Sequence, residues 1–135
     1  MEIFKISVSA DSTGEELAPI ALAVHKLLGL PVTMRSLNKK GVRIEKGKVL
    51  DTEYTGPVLE QVLKENKVIR TIPNFGKYAG IPVVVAPIRD HNYKAIAAIG
   101  IVDLVGSIDL GVIFSDHPDI IKQVHACLKA RVTSP

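Results

Sequence analysis

An α/β (α+β) domain, with a mostly antiparallel central sheet flanked by helices, is what this chain predicts. Three observations carry that reading. Two apolar runs, Ile81–Ile88 and Ala95–Val102, flank the polar stretch Arg89–Lys94, which is the pattern of a buried β-hairpin. The first run holds the consecutive valines Val83, Val84 and Val85, whose branched Cβ atoms favour a packed, pleated surface. Segments with apolar residues at helical spacing lie on either side of the hairpin, so it is placed at the centre of a globular domain spanning residues 1–135.

The elements follow in order. Ile3, Phe4, Ile6 and Val8 alternate with polar residues over 3–10, predicting a half-buried strand. Asp11–Glu16 carries helix-start chemistry, with Ser12 and Glu15 or Thr13 and Glu16 in the reciprocal capping spacing. The helix runs to about Leu28, with Gly29 to end it and Pro31 beyond. Pro19 lacks the amide that a helix interior needs, so the helix is expected to begin late or kink there. Its second half is apolar nearly all round, apart from His25 and Lys26. Such a helix is buried on more than one side, and a second copy of the chain is the simplest cover.

Residues 32–51 predict a strand and a small hairpin turning at Gly47. Thr55 is the expected cap of a second helix, with Pro57 in its first turn and Val58, Leu59, Val62 and Leu63 as its apolar stripe. Val68–Ile72 reads as a further strand, and Asn74–Gly80 as the loop leading into the central hairpin. After Asp103 come a glycine-punctuated segment and a short apolar run, Val112–Phe114. A last helix follows, capped by Ser115 or Asp116, with Ile120, Ile121, Val124, Cys127 and Leu128 on one face.

Composition narrows the function classes. The chain has 135 residues, 47 % hydrophobic and 23 % charged, with a formal net charge of +3. That charge is too small to imply a polyanionic partner. The single cysteine, Cys127, excludes an intramolecular disulfide and a cysteine-rich metal site; it reads as a small core residue and suits a reducing, cytoplasmic setting. No signal peptide is expected, since the N-terminus alternates polar and apolar residues. No membrane span is expected, since the Arg89–Lys94 break keeps the apolar runs short of the ~20 residues a span needs.

Between Gly56 and Asp103 the words Gly56-Pro-Val-Leu-Glu-Gln-Val-Leu, Lys67-Val-Ile-Arg, Val85-Ala-Pro-Ile-Arg-Asp90 and Ala97-Ala-Ile-Gly-Ile-Val-Asp103 resemble the second half of GAF domains, over roughly a third of the chain. The whole chain also resembles an uncharacterised family from methanogenic archaea. A GAF/PAS-like fold implies a five- or six-stranded antiparallel sheet with helices behind it. It further implies a small-molecule pocket on the opposite face and dimerisation through terminal helices. The asparagine–lysine, phenylalanine and aspartate–glutamate signature of cyclic-nucleotide GAF domains is absent. So are the cysteines of GAF-type methionine sulfoxide reductases and of bilin-binding domains. With no output domain, a sensor of this kind must signal through association.

Asn74, Phe75, Lys77 and Tyr78 form the favoured ligand site. Gly76 and Gly80 give their loop backbone freedom. Asn74, Lys77 and Tyr78 offer hydrogen bonds and a positive charge, and Phe75 or Tyr78 can cover a ligand. Asp103 at a strand end and Arg70 between apolar residues complete the set. Arg70 is a candidate because it is placed on the sheet's open face. The loop and Asp103 have ordinary alternatives, a loop packed over the sheet and a carboxylate meeting water or capping a turn.

Other chemistries find little support. His25, His91, His117 and His125 have no metal-ligand spacing, and His125 and Cys127 diverge by about 200° on a helix. Arg35, Lys39, Lys40, Arg43, Lys46 and Lys48 face one acid, Glu45. Without interleaved aromatics they read as a solvated hairpin guarded by lysines instead of a nucleic-acid surface. Gly41–Lys48 spaces its glycines by five and lacks the Ser or Thr of a phosphate loop. No Gly-x-Ser-x-Gly elbow is present.

The resulting expectation is a non-catalytic, cytoplasmic, homodimeric sensor-type domain that binds a small molecule, with no cofactor, metal, nucleic acid or membrane. Two alternatives stand beside it. One is an adaptor docking a protein partner through the first helix. The other is a small enzyme using Lys77, Asp103 and a histidine on an anionic metabolite.

Overall fold

The structure, a computed structural model, describes residues 5–103 together with Gln123, Ala126 and Cys127. The chain divides into two compact units, Met1–Asp103 and Leu104–Pro135. The first carries two helices and six strands: α1 (Gly14–Leu28), β1 (Val32–Ser36), β2 (Gly41–Glu45), β3 (Lys48–Tyr54), α2 (Pro57–Glu65), β4 (Ile69–Thr71), β5 (Val83–Arg89) and β6 (Ala95–Val102). The strands form one antiparallel sheet in the order β3-β2-β1-β6-β5-β4. The β5–β6 hairpin therefore pairs with β1 through β6, which places it at the centre as the apolar runs predict.

Register assigns the two faces. Residues directly opposite one another share a face, and successive residues alternate. Val32, Met34 and Ser36 stand opposite Ile101, Ile99 and Ala97, while Val42 and Ile44 stand opposite Met34 and Val32. This is the α1 face, where Leu17 and Ala21 meet Val32, Met34, Val42 and Ile44 in one core. Thr33, Gly100 and Val85 form a row on the other face. There α2 sets Val58, Leu59, Val62 and Leu63 against Val83, Val85 and Ala98. The sheet is thus covered by α1 over β1–β3 on one face and by α2 over β4–β6 on the other.

Several local expectations are corrected. Residues 5–10 form no strand; Val8 packs toward the α1 core instead, and Ala10 accepts a backbone bond from Asn38. Helix α1 starts at Gly14 under a complete Thr13–Glu16 capping box and ends at a left-handed Gly29. Pro19 lies within it, exposed in the second turn. The helix is buried along one face through Leu17, Ala21 and His25, while Leu27 is 85 % exposed and Leu28 is 48 % exposed. At α2 the cap is Gly56, with no side-chain cap, because the Thr55 hydroxyl is engaged by Glu60 and Arg35.

The basic hairpin is not uniformly solvated. Arg35 donates to the Ser36 and Leu37 carbonyls and to Thr55, while Arg43 and Glu45 are largely buried. Cys127 is exposed, not part of a core. The expected strand residues Ile3 and Phe4, the 104–114 segment, and the cap and most of the last helix lie outside the described residues, as do His117 and His125.

His25 locks α1 to the sheet. Its Nδ1 donates to the Leu30 carbonyl at 2.6 Å, and its Nε2 accepts from the Gly47 amide at 2.9 Å. A neutral ring with hydrogen on Nδ1 satisfies both bonds. Among the described residues no helix is long and apolar enough to cross a membrane.

Candidate functional site

A narrow cleft opens on the α2 face of the sheet. Its floor is Thr33, Val83, Val85 and Gly100; its side is the start of α2 from Gly56 to Leu59; Pro73, Phe75 and Tyr78 cover it. The sheet alternation that buries Val32 and Met34 against α1 turns Thr33 toward the cleft. Gly100 is small for a steric reason. A Cβ there would approach Val85 Cγ2 to 2.8 Å and Thr33 Oγ1 to 3.1 Å. The free space inside is about 30 Å³, room for about two water molecules.

The covering loop is held mostly by itself. Gly80 donates to the Pro73 carbonyl at 2.9 Å, and Ala79 and Ile81 make turn bonds to Gly76 and Tyr78. Gly76 and Gly80 both have positive φ, at 88° and 80°, which explains the two glycines at these turns. Pro73 is buried and Tyr78 half-buried, but the remaining loop residues are exposed. Phe75, at 68 % exposure, overhangs the cleft mouth.

A polar corner closes the β2 end. Tyr78 donates its phenol hydrogen to Glu45 Oε2 at 2.6 Å, and Arg43 Nη1 donates to the same oxygen at 2.7 Å. The Tyr54 and Tyr78 rings meet edge to face with centroids 6.5 Å apart, a favourable aromatic geometry. The Tyr78 bond and then Arg43 hold the Glu45 carboxyl below its ordinary value, against the opposing effect of burial. Burial first, and then Glu45, push the Tyr78 phenol well above its ordinary value. Tyr54 is pushed up chiefly by burial. For Arg43 burial disfavours the charge, but Glu45 outweighs it and raises the guanidinium pKa. The corner therefore holds a carboxylate, a guanidinium and two neutral phenols at neutral pH.

Of the residues expected to form a site, Phe75 and Tyr78 line the cleft. Asn74 and Lys77 share their loop but are exposed and do not line it. Arg70 stands opposite Val84, which stands opposite Ile101, so Arg70 belongs to the α1 face. Its Nε lies 3.9 Å from Asp103 Oδ2, and neither residue lines the cleft. Sequence reasoning missed Thr33, Tyr54 and Gly100, which line the cleft, and Arg43 and Glu45, which do not line it but bear on it through Tyr78. The alternation of Arg43 and Glu45 with Val42 and Ile44 was the available signal, since it puts both polar residues on one face.

The arrangement offers an apolar slot with hydrogen-bonding groups at one corner. Among the described residues no group of three His, Cys, Asp or Glu side chains could hold a metal ion. Both nitrogens of His25 are occupied by backbone groups, and His91 is exposed in the β5–β6 turn.

Comparison with known proteins places the same segment in a family. A family model described as "Uncharacterized protein conserved in archaea (DUF2111)" matches residues 24–105, a span that includes the residues lining the cleft. The chain is 47 % identical to Uncharacterized protein MJ0405 of Methanocaldococcus jannaschii over 119 residues, covering 87 % of this chain and 90 % of that protein. No solved structure matches it. A chain matched over both this segment and nearly the whole of that relative belongs to the archaeal DUF2111 family.

Proposed function

We propose that this chain is a non-catalytic, sensor-type domain of the cytoplasm that binds a small molecule in the cleft beneath the 73–80 loop and acts as a homodimer. The observation that carries the reading is the cleft itself. An apolar floor of sheet residues, the uncapped start of α2 and an outer loop converge there, with polar groups gathered at one corner. Small-molecule sites have this character, mostly apolar with a few polar groups that fix orientation. The GAF-like resemblance supports the reading too, since it implies a five- or six-stranded antiparallel sheet with helices behind it and a small-molecule pocket on the opposite face.

Binding is favoured over catalysis because the Glu45 carboxylate is engaged by both Tyr78 and Arg43, and both ring nitrogens of His25 are engaged by backbone groups. For dimerisation, the support is the exposed apolar end of α1, where Leu27 and Leu28 meet no core. Exposed leucines adjacent in a helix suit a self-association face.

Native mass spectrometry of the protein from its own cells, with release of bound molecules, tests the binding reading. A stoichiometric small molecule is expected, lost when Val85→Phe fills the cleft. A molecule retained equally by that variant, or none retained by the wild type with no small molecule of the cell extract restoring one, overturns it.

A further inference from the structure

Resting on the cleft as the binding site, its ligand class follows from the side chain that now fills its polar corner. The free space of about 30 Å³ is far below the roughly 300–1,000 Å³ of an occupied small-molecule site. Binding therefore requires a wall to move. The floor is held by the β1–β6–β5 ladder. The α2 wall is held by four buried apolar side chains. The 73–80 loop is different: its backbone hydrogen bonds close on itself, its side-chain bond to the sheet is that of Tyr78 to Glu45, and its residues are exposed apart from Pro73 and Tyr78. The loop is the wall that gives way, and Tyr78 is the side chain that leaves.

Withdrawal of Tyr78 uncovers a specific set of partners. Tyr54 loses an aromatic ring from its edge-to-face contact. Glu45 loses the hydroxyl donor at 2.6 Å, while Arg43 remains bound to the same carboxylate oxygen. The vacated corner is therefore shaped for a ring and supplied with an acceptor at one position. Around it, Val58, Leu59, Val83 and Val85 offer apolar contact alone. Arg43 and Glu45 offset one another there, so the corner carries no net charge to attract an anionic head, while Glu45 remains an acceptor for a hydroxyl.

We propose that the ligand is a small, flat, apolar molecule, phenol-like in its simplest form, whose single hydroxyl donor replaces Tyr78 against Glu45 while its ring replaces that of Tyr78 against Tyr54. Tyr78 is the intramolecular stand-in for this ligand, and displacing it frees the 73–80 loop. Occupancy of the cleft is thereby linked to the position of a surface loop, which a partner can read.

The test uses p-cresol and toluene, which match the tyrosine side chain in shape and differ from each other in the hydroxyl. Calorimetric titration of Tyr78→Ala is expected to show p-cresol binding at least about tenfold more tightly than toluene, the size of one hydrogen bond to a charged acceptor. Glu45→Gln in the same background should reduce that preference. Wild-type protein should bind p-cresol more weakly than Tyr78→Ala, because Tyr78 competes. Equal binding of both probes overturns the hydroxyl-bearing class and leaves the cleft standing as a site. Binding of neither probe by folded Tyr78→Ala overturns the ligand class and the site together. Should Tyr78→Ala fail to fold alone, recovery of its fold by p-cresol and not toluene supports the proposal. Failure of p-cresol to restore the fold, with none bound by the wild type, overturns it.

Discussion

Tyr78, on the loop before β5, donates to Glu45 in β2 at 2.6 Å, so one side-chain bond fastens the cover of the cleft to the sheet. Removing the donor in Tyr78→Phe is predicted to cost about 1.5 kcal/mol, the lower end for a bond to a charged acceptor because the site is only partly buried. Tyr78→Ala should cost more, since the ring contact with Tyr54 goes as well. Denaturant unfolding of both variants measures the two losses.

The same pair sets a pH window. Glu45 titrates below its ordinary value of 4.5 when folded, so its contribution is present above that value and is lost as pH falls through the lower folded value. Tyr78 and Tyr54 titrate above 10.0 when folded. Their contribution is full below pH 10 and disappears as pH rises further. Stability should therefore decline on both sides of neutrality, and Glu45→Gln should flatten the acid limb. Equilibrium unfolding across pH checks this, and phenolate absorbance should show two tyrosines titrating late.

His25 satisfies the Leu30 carbonyl and the Gly47 amide at once. His25→Ala leaves both partially buried groups without that partner and is predicted to destabilise the fold by about 1–3 kcal/mol. Amide exchange should accelerate at Gly47 and at the end of α1, while the cleft residues of α2 keep their protection.

Gly100 holds the cleft floor open. Gly100→Ala would push a methyl against Val85 and Thr33, with a predicted cost of roughly 1–3 kcal/mol for overpacking. The same substitution should weaken any ligand bound above it, measurable by titration at matched folded fractions.

Leu27 and Leu28 test self-association separately. The wild type is predicted to sediment as a dimer at micromolar concentration, and Leu27→Glu with Leu28→Glu to sediment as a folded monomer. A monomeric wild type removes α1 as the dimer face.

Much of this architecture was legible from residue pattern. The β5–β6 hairpin declared itself by apolar runs around Asp90–Lys94, and α2 by a stripe whose four members are all buried. The capping box of α1 was legible because Thr13 and Glu16 sit three apart. The site was only half legible. Phe75 and Tyr78 stood out in a glycine-bearing loop, but the partner of Tyr78, Glu45, lies 33 residues earlier, with Arg43 bound to it. Their role depends on strand register and on Tyr78 reaching the β2 end of the sheet, neither of which alternation alone specifies. The alternation of residues 3–10 misled because strand pattern needs a neighbouring edge, and 5–10 pair with none. Arg70 and Asp103 stand near one another on the other side of β4 from the cleft, a placement that strand register sets and composition does not.

The most direct test of the central claim is a heteronuclear NMR titration of wild-type protein with p-cresol, following every backbone amide. Shifts concentrated at Thr33, Val58, Leu59, Tyr78 and Gly100, together with loss of the Tyr78–Glu45 contact, are the predicted result. Shifts confined to the exposed end of α1 around Leu27, with the cleft amides unmoved, would contradict it.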